Sequence, residues 1–228
     1  LAGLSAPAGA TEVQRVISPG GIEAWLVEEH SIPILSLRAS FRGGAAFDQA
    51  GREGTATMAS SLIDEGAGGY DSQAFQTRLE DLSVRISFSA GLDTFGATLK
   101  TLSENTDEAF ELLRLAMTEP RFDEEPVERI RGQYIVHLAR QAEDPDYLVG
   151  RAWYTMAFPD HPYSRPLEGT PETMAAITAD DMRAFMAAQL ARDRVYIGVV
   201  GDITHERLGD LLDSTFGGLP AIGAPAET

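Results

Sequence analysis

Three hydroxyl side chains, Thr57, Ser60 and Ser61, stand at i, i+3 and i+4 in the stretch Gly51-Arg-Glu-Gly-Thr-Ala-Thr-Met-Ala-Ser-Ser-Leu-Ile-Asp-Glu-Gly-Ala67. The stretch reads as one helix between two glycine-containing ends, and that spacing puts the three on a common side. Ala56, Met58, Ala59, Leu62 and Ile63 give the helix an apolar face. A zinc peptidase would place its ligands and its base on a helix in this geometry. Neutral hydroxyls are poor replacements for imidazole as zinc ligands, and Ser60 cannot act as a general base. Read without any analogy, small and hydroxyl residues between glycines let another element pack closely, which is a structural role.

Other chemistry finds little support. No Gly-x-Ser-x-Gly elbow and no phosphate-binding Gly-x4-Gly-Lys-Ser/Thr is present. Ser60 and Ser61 have no histidine near them in sequence, so a serine hydrolase is disfavoured. Gly43-Gly44 follows a strand, but no helix starts directly after it to hold phosphate. His30 reads as part of a solvated turn, His161 as a loop-packing residue between Pro159 and Pro162, and His205 as part of the first turn of the last helix. None has a second histidine at ligand spacing. Asp64 and Glu65, one turn beyond Ser60 and Ser61, read as surface charges.

At 228 residues the chain can bury a full core. Its 43% hydrophobic and 23% charged content is ordinary for a globular protein. The net charge is −17, with Lys100 the single lysine. No basic patch or transmembrane stretch is visible, so neither nucleic acid nor membrane insertion is expected. No cysteine is present, which rules out disulfides, thiolate zinc sites and a cysteine nucleophile. The small, apolar residues Leu1 to Ala10 could follow or end an export signal. A periplasmic or otherwise exported location is the expectation, with the cytoplasm as the alternative.

The elements that must position these residues can be read in order. Val13–Ile17 and Gly21–Val27 flank turn residues and signal a hairpin. Leu35, Leu37, Ala39 and Phe41 alternate along a strand. Asp71 or Ser72 caps a helix from Gln73 to Leu82. Val84–Ser89 and Thr94–Leu102 make a second hairpin. A helix from Asn105–Thr106 ends at Pro120, and Pro126 opens a long helix through Arg140. Asp144-Pro145 breaks it before a helix from Tyr147 to Met156. Thr170, Thr178 and Thr204 start or cap three more helices, and Val195–Val200 reads as a buried strand. The fold expected is α+β: a mainly antiparallel β-sheet with helices packed on one face. The organisation expected is a tail over 1–12, one domain over 13–218 and a linker-like tail over 219–228.

The central stretch resembles the helix of the pitrilysin/insulinase family of zinc peptidases, the inverzincins, which bears His-x-x-Glu-His. Gly54-Thr-Ala56 and Glu65-Gly-Ala67 keep the flanks of that helix. Their register puts Thr57 at the first histidine, Ser60 at the glutamate and Ser61 at the second histidine. His161-Pro-Tyr-Ser-Arg-Pro-Leu-Glu-Gly-Thr170, Ile177-Thr-Ala-Asp-Asp-Met182 and Val199-Val-Gly-Asp-Ile203 are each similar to segments of the family, in the same order. The resemblance runs from Ile17 to Gly218. It implies that the third ligand, a glutamate in the family, is replaced by His137, ahead of the Asp144-Pro145 break.

The resemblance therefore implies a processing-peptidase-like fold from which the zinc site has been lost at Thr57, Ser60, Ser61 and His137. In the family a subunit holds two copies of this domain, and some members pair a zinc-bearing chain with one that has lost the site. This chain is expected to be of the second kind, or its first domain. It would hold no metal or cofactor, and zinc would sit only in a homologous catalytic partner with which it forms a peptide-degrading chamber. Two alternatives are a metallopeptidase whose zinc site is rebuilt or completed by a partner, and an acidic module that binds a basic peptide.

Overall fold

The computed structural model describes residues 12–224. Its six strands form one sheet in the order β1-β2-β6-β3-β5-β4. β1 (Gln14–Ile17) and β2 (Glu23–Glu28) are the first hairpin, closed where Gly21 adopts φ +84 and Ser18 Oγ accepts from the Ile22 amide. Glycine meets that positive φ without steric cost. β3 (Ile34–Arg42) pairs antiparallel with β5 (Thr94–Leu102), and β5 pairs with β4 (Arg85–Ala90) in the second hairpin. β6 (Val195–Gly201) comes from far along the chain, antiparallel to β3 and parallel to β2. The sheet is thus mainly antiparallel, as the sequence suggested.

Between and after the strands lie α1 (Thr55–Leu62), α2 (Ser72–Asp81), α3 (Thr106–Thr118), α4 (Glu124–Gln141), α5 (Pro145–Ala157), α6 (Pro171–Ala176), α7 (Ala179–Gln189) and α8 (His205–Phe216). Side chains supply the amide partners that the helix starts lack. Asp71 accepts from Ala74, Asp144 from Asp146 and Thr204 from Arg207, and Thr170 and Thr178 each form a reciprocal capping box.

The period of two in the strands selects the buried side. Leu35, Leu37, Ala39 and Phe41 of β3 are buried, and Ile197 and Val199 of β6 join them. Phe75, Phe95, Phe110 and Phe216 fill the space between sheet and helices. Full burial of one such side chain contributes roughly 1.5–3 kcal/mol relative to exposure. Among the described residues, no helix lies on the opposite face of the sheet. There Trp25, Tyr196 and Val200 stand about half exposed, at 49%, 55% and 51%. The expectation that Val195–Val200 is a buried strand holds for one face only. A continuous apolar run ordinarily marks a strand covered on both sides, and among the described residues only one side of this strand is covered.

Residues 219–224 are fastened to the domain. Leu219 is buried, Pro220 O accepts from the Arg192 amide, Gly223 N donates to Asp193 Oδ1 and Ala224 N donates to Ala188 O. Turn-rich composition alone does not distinguish a linker from a packed strap. Residues 1–11 and 225–228 lie outside the described residues.

Candidate functional site

α1 is short, and its start is held from a distance. Gly54 occupies the N-cap position at φ +99 and has no side chain to cap with. Asp48, six residues upstream, does this work: Oδ2 accepts from the Gly54 amide at 2.8 Å and Oδ1 from the Ala56 amide at 3.0 Å. The carboxyl is buried, and burial pushes its pKa up to about 7 against the pull of those amides and of Arg165.

The segment Arg165 to Thr173 then closes over α1. Arg165 donates to Asp48 O and Ala46 O, and Thr173 Oγ1 donates to Glu53 O. Gly169, at φ +74, lies so near that a Cβ built on it would fall 2.0 Å from Glu53 O. Gly54 would meet Glu168 O at 2.7 Å in the same way. Two glycines therefore let two backbones touch where any side chain would hold them apart.

Within this clamp the hydroxyls are already engaged. Thr57 Oγ1 donates to Leu167 O at 3.1 Å, and Ser60 Oγ donates to Thr57 O at 2.9 Å. Both residues are buried. Ser61 Oγ and the Tyr134 hydroxyl of α4 share a hydrogen bond of 2.8 Å. His137, half exposed on the same face of α4 as Tyr134, places Nε2 3.4 Å from Glu168 Oε2. That is ion-pair distance without hydrogen-bond geometry, and Glu168 Oε2 is buried with no hydrogen-bond partner.

The structure therefore packs Thr57, Ser60 and Ser61 of α1 against the Arg165–Thr173 segment and α4, and sets His137 against that same segment. The donors do not fit zinc. Zinc sites use thiolate, imidazole and carboxylate ligands, usually three or four converging on a point. Here the α1 positions carry hydroxyls committed to protein hydrogen-bond partners. Among the described residues no three His, Asp or Glu side chains are grouped so as to hold a metal ion.

Two residues depart from the sequence reading. Asp64 and Glu65 sit in the turn after α1 and are half-buried, not freely solvated surface charges. Burial, with Glu65 beside it, raises the Asp64 carboxyl to about 6. Glu65 Oε2 accepts from Ser72 and from Arg129 at 2.7 Å. Sequence reasoning also missed Tyr134, Glu168 and Asp48. Tyr134 had a local signal, since it stands three residues before His137 on one helix face. Asp48 had none, because its cap spans a loop.

The remaining histidines are placed elsewhere. His30 is exposed at the end of β2, but its Nδ1 is 2.7 Å from Asp202 Oδ1 and its Nε2 3.3 Å from Glu28 Oε2. Ser103 donates to the other Asp202 oxygen at 2.6 Å. The hydrogen bonds to Asp202 and Glu28 raise the His30 pKa. His161 accepts from the Tyr163 amide and stacks edge-on to that ring at 4.5 Å, so it packs its loop as expected. His205 opens α8, and its amide donates to Glu28 Oε1.

Comparison with known proteins agrees with this geometry. Residues 26–171 match the family described as Insulinase (Peptidase family M16), and residues 176–227 the family described as Peptidase M16 inactive domain. A Helicobacter pylori protein named "Non-peptidase homolog YmxG" is 23% identical over 85% of this chain and 45% of its own length. A probable mitochondrial-processing peptidase subunit beta from Arabidopsis thaliana is 20% identical over 93% of this chain and 39% of its own. The crystal structure of a peptidase M16 inactive domain from Pseudomonas fluorescens superposes with a TM-score of 0.87 at 25% identity, over 95% of this chain and 53% of that one. The chain thus spans about half the length of the relatives it matches. With the match to the first family covering well over half of its residues, the chain belongs to the insulinase family, peptidase family M16.

Proposed function

We propose that this chain is a non-catalytic, peptidase-like domain that pairs with a homologous zinc-bearing subunit to wall a peptide-degrading chamber. The observation that carries the reading is the fate of the α1 side chains. The hydroxyls of Thr57, Ser60 and Ser61 are bonded to Leu167, Thr57 and Tyr134 within the protein. No imidazole or carboxylate stands on α1 to bind a metal or take a proton from water. The names of the relatives support it: one is a non-peptidase homologue, another a subunit of a processing peptidase. In this reading the domain has no cofactor of its own, and what it contributes is a surface.

The test is hydrolysis of a mixed peptide library by the purified chain, with and without a chelator. The expected result is no cleavage in either case. Cleavage that survives purification and is abolished by the chelator would overturn the proposal in favour of a rebuilt or partner-completed metal site.

A further inference from the structure

A cavity of about 570 Å³ lies between α7, the loop that leads into α1 and the turn at Pro162. Small-ligand pockets typically measure roughly 300–1,000 Å³. α7 gives the cavity one face, with Asp181, Phe185, Ala188 and Gln189 at i, i+4, i+7 and i+8. Arg52 and Asp48 line it from the loop, and His161 and Arg165 from the opposite wall. The walls are fixed by bonds within the protein. The Ala45 and Ala46 amides donate to Gly91 O and Leu92 O, each at 2.9 Å. The Tyr163 hydroxyl donates to Asp93 Oδ2 at 2.6 Å, and Arg165 ties its wall to Ala46 O and Asp48 O. A cavity held in this way spares a ligand the cost of ordering loops.

The acceptors of the lining are largely spent, and donors remain. Asp48 accepts from the Gly54 and Ala56 amides, and burial, which pushes its carboxyl up to about 7, reduces the negative charge it brings. Asp181 Oδ2 accepts from the Thr178 amide and hydroxyl and lies 3.2 Å from Arg52 Nε. Asp160 is exposed at the rim. On the donor side, Arg52 Nη1 donates to Gly51 O at 3.3 Å, and its Nη2 has no acceptor among the described residues. His161 Nδ1 accepts from the Tyr163 amide, which puts the proton of the neutral ring on Nε2. Gln189 is 4% exposed, and its Oε1 accepts from Arg194 at 2.9 Å. Its amide nitrogen is therefore the end left to donate, and among the described residues it meets no acceptor.

We propose that this cavity binds a carboxylate carried on a short apolar group, with Arg52 holding the carboxylate and Phe185 and Ala188 lying under the apolar part. A guanidinium and a carboxylate make a charge-assisted pair that an amide cannot replace. An amine would need a buried acceptor, and those of Asp48 and Asp181 already serve protein donors. A wholly apolar ligand would leave the buried Gln189 amide without a partner, which costs free energy. The C-terminus of a peptide and a free N-acyl amino acid both carry the required chemistry. The site uses none of the hydroxyls of α1, so it stands or falls separately from the metal question.

The experiment is isothermal titration calorimetry of this chain with N-acetyl-leucine, with acetyl-Ala-Ala-Leu and with the C-terminal amide of each. Both acids are expected to bind, and each amide to bind about tenfold more weakly than its acid. Arg52→Gln is expected to weaken the acids by about the same factor and to leave the amides unchanged. Ala188→Leu fills the cavity and is expected to abolish binding of all four, with circular dichroism and urea midpoint as checks on folding. If that variant does not fold, the acid–amide comparison in the native chain and in Arg52→Gln decides alone. Tighter binding of the tripeptide than of N-acetyl-leucine would uphold the proposal and assign the site to peptide ends; equal affinity would uphold it and assign the site to free acids. Acid and amide that bind equally, acids that bind Arg52→Gln as well as the native chain, or no binding of either acid at millimolar concentration would each overturn it.

Discussion

Around α1, Arg165 spends its guanidinium on Ala46 O and Asp48 O, Thr173 reaches Glu53 O, and Thr57 reaches Leu167 O. On the far side of the same sheet, Arg38, Arg85 and Lys100 line a trough and touch no carboxylate among the described residues. The first region closes on itself, and the hydroxyls of Thr57, Ser60 and Ser61 have protein partners, while Glu168 Oε2 is buried without a hydrogen bond. The second keeps its polar and apolar groups available. A burial cost is offset only where a buried polar group is bonded, so the closed region contributes to folding. The open region holds charge in water, where it adds little stability and can meet a partner. The hydroxyls in the part of the fold that resembles an enzyme's centre are bonded within the protein, while Trp25, Tyr196 and Val200 on the far face of the sheet stand about half exposed.

The largest effect separating the two regions comes from glycine. Gly169→Ala places a Cβ against Glu53 O in a backbone conformation that L-residues rarely adopt. The expected loss is about 1–3 kcal/mol in a urea titration. Gly198→Ala, on the open face with nothing within 4 Å, is expected to change stability by less than about 0.5 kcal/mol. Equal losses at both positions would erase the distinction.

A smaller effect is the pH dependence of Asp48. Its pKa in the fold is raised from the ordinary 3.8 to about 7, chiefly by burial. Between those values the folded chain holds a proton that the unfolded chain releases, so stability falls as pH rises through this window. Asp48→Asn is expected to flatten that part of the curve, measured as the difference between variant and native chain by denaturant titration at each pH. A difference that does not vary with pH between about 4 and 7 would show Asp48 ionised throughout the window.

The smallest effect is expected at His30. Its hydrogen bond to Asp202, then that to Glu28, raises its pKa above 6.5. The stabilisation is fully present below 6.5 and fades as pH rises through the raised value. His30→Gln is expected to remove that fading. The same slope in variant and native chain would leave His30 without a role in holding the ends of β2 and β6.

Much of this was legible in sequence where the physics is local. Alternation in Leu35–Phe41 named the buried face of β3, and Asp71, Thr178 and Thr204 announced their helices because a cap acts within three residues. The position of β6 between β2 and β3 was not legible, since pairing across more than a hundred residues leaves no local mark. For the same reason Val195–Val200 looked buried on both sides. The hydroxyl helix was readable from Gly54-Thr-Ala56 and Glu65-Gly-Ala67, while the clamp of Arg165, Gly169 and Thr173 upon it required the fold. Arg38, Arg85 and Lys100 each occupy a solvent position in a strand pattern, and only the register shows that they share one face.

On the proposed reading, the positions on α1 that would carry a zinc centre serve a structural role instead. The most direct test of that reading is zinc content, measured by atomic absorption, for the native chain and for Thr57→His/Ser60→Glu/Ser61→His/His137→Glu after equal exposure to zinc and removal of the excess. The account predicts a metal-free native chain and a folded variant with one zinc per chain. Stoichiometric zinc on the native chain, or a folded variant that retains none, would contradict it.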